Sequence, residues 1–526
     1  MKPIQDLQWL LTLGTFLPLV GVLLMLFVPK KDVDTAKTIA VGTALLTLAV
    51  GVVTALKFDY SQSERLQFFT SNSWIKPIRA TYTIGLDGIS LPLYLLSMLI
   101  TVVVMIYSWD HVPNPGNAKA FFILMLVLQT GMAGTFMAQD LILFFVFFEL
   151  VLLPMYFMIG VWGGDNRQYA SLKFFLYTMF GSALMLVGFI ALFVVTKNNA
   201  TDPAAANFSF QWFNENGPDV ARNTAVWIFA GLFIGFAVKV PMFPFHTWLP
   251  DAHTEAPTQG SVILAAILLK LGTYGFVRIA IPFLPQAAVK WAPAIAVLAV
   301  IGIIYGALGC LAQTDMKRLI AFSSVAHMGF VMLGISTLTD LGINAALFGM
   351  VAHGLITGML FFIAGSVKER YHTLQISQLS GMLKQVPRMG WIFGFCAMAS
   401  LGLPGLAGFW GEFPALLSAW SPAQVLVGNG HLDLFRVLTT IAALGTVLAA
   451  GYLLWLFQRT AMGEPAVHAV GASDNSGIHD VNAFEWAAWL PMLIPIVVLG
   501  IVPKLLLDLS DPGVQLITDV FRSVGK

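Results

Sequence analysis

Six ionisable residues of this chain stand inside apolar stretches. Glu149 lies in "LILFFVFFELVLLPMYFMIG", Lys239 in "GLFIGFAVKVPMFPF" and Lys270 in "SVILAAILLKLGTYGF". His327 lies in "SSVAHMGFVML", His353 in "LFGMVAHGLITGML" and Glu412 in "SLGLPGLAGFWGEFP". A row that mixes acids, bases and near-neutral groups is suited to passing protons. Burial disfavours the charged form of such a group and an opposite charge favours it, so a lysine whose acidic partner comes and goes changes its proton affinity. Histidine titrates near neutrality without help. The competing reading is structural: Glu149 and Lys239, of opposite sign on different segments, form a buried ion pair that fixes helix register. That reading explains one pair better than it explains a row of six. Lys173, near the start of its apolar segment, and His246, at the edge of another, are possible additions to the row. For His246 and His253, hydrogen bonding within a connection competes with transport chemistry.

The elements that must hold these groups follow from composition. The 526 residues are 58% hydrophobic and 10% charged, against about 25% charged in an ordinary soluble domain. The mean hydropathy is +0.81. Apolar runs of about twenty residues, each long enough to cross a hydrocarbon core of roughly 30 Å, recur from end to end. They fall near 7–28, 36–56, 84–108, 119–138, 141–162, 172–196, 224–246, 257–282, 291–312, 317–336, 342–367, 388–415, 434–458 and 485–508. Spanning segments must be helices or a closed barrel, and these runs lack the alternating polarity of barrel strands. The expected fold is therefore an all-α polytopic membrane protein with about fourteen transmembrane helices. An even number puts both termini on one side, and the Lys/Arg distribution favours the outer one.

Composition and motifs also exclude. A net charge of +1 points away from nucleic acid as a partner and leaves lipid as the surroundings. Cys310 and Cys396 lie in apolar runs and pack as small hydrophobes. No Walker or Rossmann glycine motif is present, and no zinc-ligand pattern. No cofactor or metal site is expected in this chain.

Two spans are interrupted, one by Pro241 and Pro244 beside Lys239, the other by Pro404 in a glycine-rich turn before Glu412. Paired broken helices in two halves of a chain mark the site of a repeat-built transporter. They are spans seven and twelve, and an odd offset inverts the topology. The expected organisation is three leading helices in 1–110, one five-helix repeat in 119–282, an inverted copy in 291–458, and a connecting loop with a last helix in 459–526.

The stretch "AVKVPMFPFHTWLPDAHTEAPTQGSVILAAILLKLGTYGFVRI", Ala237 to Ile279, carries a specific resemblance. With "FFELVLLPMYFMIGVWGG", "DMKRLIAFSSVAHMGFVMLG" and "GLPGLAGFWGEFP", in the same order, it resembles the antiporter-like subunits of proton-pumping NADH:quinone oxidoreductase, respiratory complex I. The resemblance covers much of spans five to twelve. It implies fourteen helices with two inverted five-helix repeats, each with a broken helix. It implies that Glu149 and Lys239 are the charged pair of a first half-channel, that Lys270 is a central connecting lysine, and that His327 and His353 continue the path. Glu412 takes a place that a lysine holds in the other large subunits of this kind. It further implies a bacterial inner-membrane setting and neighbouring antiporter-like and other membrane subunits as partners. FMN, iron–sulfur clusters and quinone would be held by other subunits, and this chain would be a non-redox part of the translocase. A subunit of a multisubunit sodium/proton antiporter, which shares this core, is the alternative. A subunit of a membrane-bound hydrogenase and a purely structural membrane spacer are further ones.

Overall fold

The computed structural model describes residues 3–113, 116–465 and 478–524. It is a helical bundle with one small hairpin. In chain order come α1 (Trp9–Leu26), α2 (Val33–Lys57), β1 (Gln67–Ile75), β2 (Ala80–Leu86), α3 (Ser90–Asp110), α4 (Ala118–Met137), α5 (Leu141–Leu150), α6 (Leu152–Trp162), α7 (Arg167–Asn199), α8 (Phe210–Asn216), α9 (Arg222–Lys239) and α10 (Trp248–Glu255). Then follow α11 (Thr258–Phe283), α12 (Pro285–Leu311), α13 (Met316–Ser336), α14 (Asp340–Tyr371), α15 (Pro387–Ser400), α16 (Ala407–Trp420), α17 (Leu432–Ala461), α18 (Ala483–Ile501) and α19 (Lys504–Val524), with short helical turns between some of them.

Among the described residues, twelve helices, α5 and α6 counting as one, are long and apolar enough to cross a membrane. The two other expected spans are the interrupted ones. The run 224–246 stops being helical at Lys239, and the run 388–415 is divided between α15 and α16. The last span also ends earlier than expected. Its helix closes at Ile501, and α19, an amphipathic helix, follows. Along α19, Leu506, Ser510, Val514, Ile517 and Phe521 are buried, at the spacing of one helical face.

The connection 57–83 holds the feature that hydropathy did not announce. Strands β1 and β2 pair antiparallel with Thr70 opposite Ile84 and Ser73 opposite Thr81. Their alternating Thr, Ser and Tyr residues suit a half-exposed ribbon. Asp140 ties the ribbon to the bundle: it accepts from the backbone N–H and hydroxyl of Thr81 and also caps α5 through Ile142 and Leu143.

The layering decides where chemistry can sit. For α11, α13 and α14, 94% of the apolar window is buried inside the protein, against 39% for α7 and 33% for α18. Lys270, His327 and His353 ride on those three innermost helices. The peripheral α1, α2, α7, α17 and α18 turn large apolar side chains outward, as lipid-facing helices do.

Candidate functional site

Lys239 is the last residue of α9. Pro241 has no N–H to give the carbonyl of Ala237, and the N–H of Met242 takes that carbonyl instead, at 2.9 Å. The shift leaves the carbonyl of Val238 free, and the Trp248 indole N–H donates to it at 2.9 Å. Protein groups thus satisfy the break, as a membrane interior demands. Lys239 itself is buried and its Nζ has no hydrogen-bond partner among the described residues. It lies 4.8 Å from the centre of the Phe148 ring, and the C-terminal end of α9 favours its charge.

Glu149 sits in the last turn of α5, just before the helix is interrupted at Val151. Pro154, three residues on, denies the carbonyl of Leu150 its usual donor and accounts for the interruption. The expected direct ion pair between Glu149 and Lys239 is not made. The two feel each other's charge, but Glu149 turns toward Ser182, and the ring of Phe148 faces the ammonium.

Lys270 is positioned by an irregularity. Within α11, residues Leu264–Leu268 form a π-helical turn. The N–H of Leu269 therefore reaches the carbonyl of Leu264 rather than that of Ala265. The Lys270 ammonium donates to the Ala265 carbonyl so released. A second π segment, Phe276–Ala280, follows. Single π turns are frequent at functional sites.

From Lys270 a chain of contacts crosses the second half of the protein. Its Nζ is 2.6 Å from His353 Nδ1. An ammonium needs a lone pair to bond to, so this contact requires Nδ1 unprotonated and the pair shares one transferable charge. The rings of His353 and His327 have centroids 5.9 Å apart. His327 Nδ1 is 2.6 Å from Glu412 Oε1, and its Nε2 faces Ser400 Oγ at 3.1 Å and the Tyr452 hydroxyl at 3.4 Å. A cavity of about 30 Å³ is lined by His327, His353, Ser400 and Glu412 among others. That is room for one or two waters. His353 Nε2, unpartnered among the described residues, belongs to a lining residue. Exposure along this chain runs from 0% at Lys270 to 9% at Glu412.

The turn that breaks α15 from α16, residues 401–406, contains Pro404. Gly402 and Gly405 there adopt φ +78° and +92°, which side-chain-bearing residues rarely adopt. A Cβ on Gly402 would also come 3.2 Å from Glu412 Oε2.

The remaining expected residues lie elsewhere. Lys173 pairs with Asp251 at 2.7 Å, partly exposed, and Arg318 reaches the same carboxylate at 3.4 Å. His246 lies in the break after Lys239, beside the rings of Phe243 and Tyr305. Cys310 and Cys396 are buried free thiols. Two further residues, Lys317 and Gln129, stand out only in the structure, and His253, read from sequence within a connection, proves to be buried. His253 is fully buried, stacks on Phe361 at 4.5 Å with both ring nitrogens unpartnered among the described residues, and feels the charges of Lys317 and Lys270. Lys317 is buried and donates to the carbonyl of Ala256. Gln129 on α4 is fully buried with neither amide atom partnered among the described residues. Hydropathy gave no sign of the burial of His253 or Lys317, because His253 stands in a connection between two apolar runs and Lys317 at the very start of one.

Two family models account for most of the chain. Residues 13–135 match NADH-ubiquinone oxidoreductase chain 4, amino terminus, and residues 138–428 match the membrane segment shared by NADH:quinone oxidoreductase and the Mrp antiporter. NADH-quinone oxidoreductase subunit M of Rickettsia bellii is 38% identical over 96% of this chain and 98% of its own length. The chain belongs to the subunit M/chain 4 family. Respiratory complex I from Thermus thermophilus contains a chain with the same fold, at 27% identity and a TM-score of 0.82, covering 98% of this chain and 100% of that one. A chain of the Mrp complex from Dietzia superposes nearly as well, with a TM-score of 0.81 over 99% of each chain, but at 19% identity, and so shares the fold alone. In the subunit M/chain 4 chain described here, α11, α13, α14 and α16 meet at the polar chain that starts at Lys270.

Proposed function

We propose that this chain is a proton-translocating membrane subunit of a bacterial NADH:quinone oxidoreductase. The observation that carries the reading is the buried sequence of contacts Lys270–His353–His327–Glu412. A charge at mid-membrane costs about 2.5–3.5 kcal/mol on insertion scales, and structural pinning needs one ion pair, not a run of titrating groups. Lys270 passes its proton to His353 Nδ1. Water in the cavity between the two rings carries it from His353 to His327, and Glu412 takes it from His327 Nδ1. Glu149 and Lys239 form a separate loading cluster, and the absence of a direct bond leaves Lys239 free to change its proton occupancy as charge near it changes. Lys317 and His253 offer Lys270 a connection to the loops at the start of α13. This chain supplies no redox step. FMN, iron–sulfur clusters and quinone belong to other subunits, and the drive arrives through neighbouring membrane subunits.

The two broken spans, five apart, support inverted repeats in 119–282 and 291–458 within a fourteen-span fold whose termini face outward. Replacing Lys239 with Ala in the assembled complex should abolish most NADH-driven proton pumping. Pumping at the parent proton-to-electron ratio in that variant would sink the reading. The sodium/proton antiporter alternative is separated by purification: flavin and iron–sulfur subunits co-purify in one case, small hydrophobic chains alone in the other.

A further inference from the structure

A vestibule of about 730 Å³, lined by both polar and apolar side chains, opens on the face where both ends of the described chain lie, with Pro3 and Val520 in its wall. The hairpin, the segment before and within α8, and α19 surround it. Arg278 and Asp87 also line it and are joined at 2.7 Å. Asp87 is held by the backbone of Ile89 and Ser90 and by the Ser90 hydroxyl. Arg278 also reaches Gln139 at 3.5 Å.

Arg278 shares a helix with the central lysine. Lys270, Tyr274 and Arg278 follow one another at intervals of four, so they stand on one side of α11. Tyr274 is fully buried, and its hydroxyl donates to the carbonyl of Phe136 at 2.9 Å. Eight residues at 1.5 Å each put Arg278 about 12 Å from Lys270 along the axis. On the face of α4 turned to Tyr274, Gln129 lies seven residues before Phe136 and so shares its side. Its amide, buried and unpartnered among the described residues, is a further polar group on this side of α4. One side of α11 thus carries Arg278 at the vestibule and Lys270 about two turns away, with the buried Tyr274 between.

We propose that Arg278 is an electrostatic barrier that prevents protons from leaking between this vestibule and Lys270. A fixed cation repels protons and other cations that approach it, as arginines do in selective pores. Asp87 anchors the guanidinium and is not itself the barrier. The proposal rests on reading Lys270 as a proton carrier.

The test is passive leak. The complete complex is reconstituted in vesicles with a trapped pH dye, a pH step is imposed without NADH, and its collapse is followed. At an effective dielectric of about 20, one charge at about 12 Å changes proton occupancy about tenfold. Arg278→Gln should therefore collapse the gradient about tenfold faster than the parent, and Arg278→Lys should stay tight. Asp87→Asn leaves the cation bare and should leak no faster than the parent. Parent-like tightness in Arg278→Gln overturns the barrier. So does an Asp87→Asn complex that leaks about tenfold faster than the parent, which would make the pair structural; this arm stands even if Arg278→Gln fails to assemble. Adding Lys270→Met to Arg278→Gln should abolish the leak. A leak that survives overturns the role of Lys270 and leaves the barrier standing.

Discussion

Replacing His353 with leucine removes the middle of the proton chain and leaves its ends in place. In the structure Lys270 Nζ has two acceptors, the Ala265 carbonyl and His353 Nδ1 at 2.6 Å. Leucine deletes the second. A hydrogen bond to a charged group contributes about 1.5–3 kcal/mol, and each 1.36 kcal/mol on a barrier is tenfold in rate. The step out of Lys270 should slow about ten- to hundredfold. The loss is not repaired from further on, because the next basic nitrogen belongs to His327, a ring 5.9 Å away centre to centre. His353→Gln separates transfer from support: its carbonyl oxygen can accept from Lys270, but an amide does not relay a proton at neutral pH. The assay is the initial rate of NADH-driven acidification of inside-out vesicles, normalised to assembled complex by flavin content. Both variants should pump at a small fraction of the parent rate, and the glutamine variant should keep the parent's thermal stability. Acidification within twofold of the parent in assembled His353→Leu would refute the path from Lys270 to His327.

Two further outcomes follow from packing and from a group outside the membrane. A Cβ on Gly354 would meet the Ala266 carbonyl and a Leu96 methyl, each at 2.9 Å. Gly354→Ala should therefore push α14 from the π turn of α11, cost about 1–3 kcal/mol, lower the melting temperature and weaken pumping; an unchanged melting temperature would contradict this. Just beyond α3, His111 donates through Nε2 to Glu369 at 2.9 Å, and its Nδ1 faces the Tyr107 carbonyl at 3.0 Å. Burial pushes its pKa down, but the bond to Glu369, that carboxylate's charge and the Tyr107 carbonyl outweigh it and hold the pKa above the ordinary imidazole value. The clasp between α3 and α14 is therefore fully present below about pH 6.5 and is lost as pH rises through the raised value. A pH–melting profile should show that loss in the parent and not in His111→Ala.

The titrating row was legible because a buried charge is costly, so Glu149, Lys239 and Lys270 stand out in any apolar run. Pro241, Pro244 and Pro404 were legible for the same kind of reason, since each removes a backbone donor. The π turn that aims Lys270 was not. Its residues, Leu264–Leu268, are five apolar side chains indistinguishable from ordinary helix, and the turn packs against α14, where Gly354 lets the two backbones approach. His253 was hidden differently: "DAHTE" reads as a connection, and its ring is buried against Phe361 of α14. The hairpin escaped because its alternation is polar on one side and short.

The row expected as one line is two clusters, and α11 is the reason. Lys239 packs its Cβ against Gly272, where an added methyl would stand 3.0 Å away. Lys270 is two residues earlier on that helix, and successive residues turn by about 100°. The two lysines therefore meet α11 on nearly opposite sides. On the proposed reading, a proton passing from one to the other has to go round the helix. Loading at Glu149–Lys239 and transfer at Lys270–His353 are then separable steps. A Lys239 variant should change when Lys270 is filled, and a His353 variant should change how it empties. A single continuous wire would give both variants the same defect.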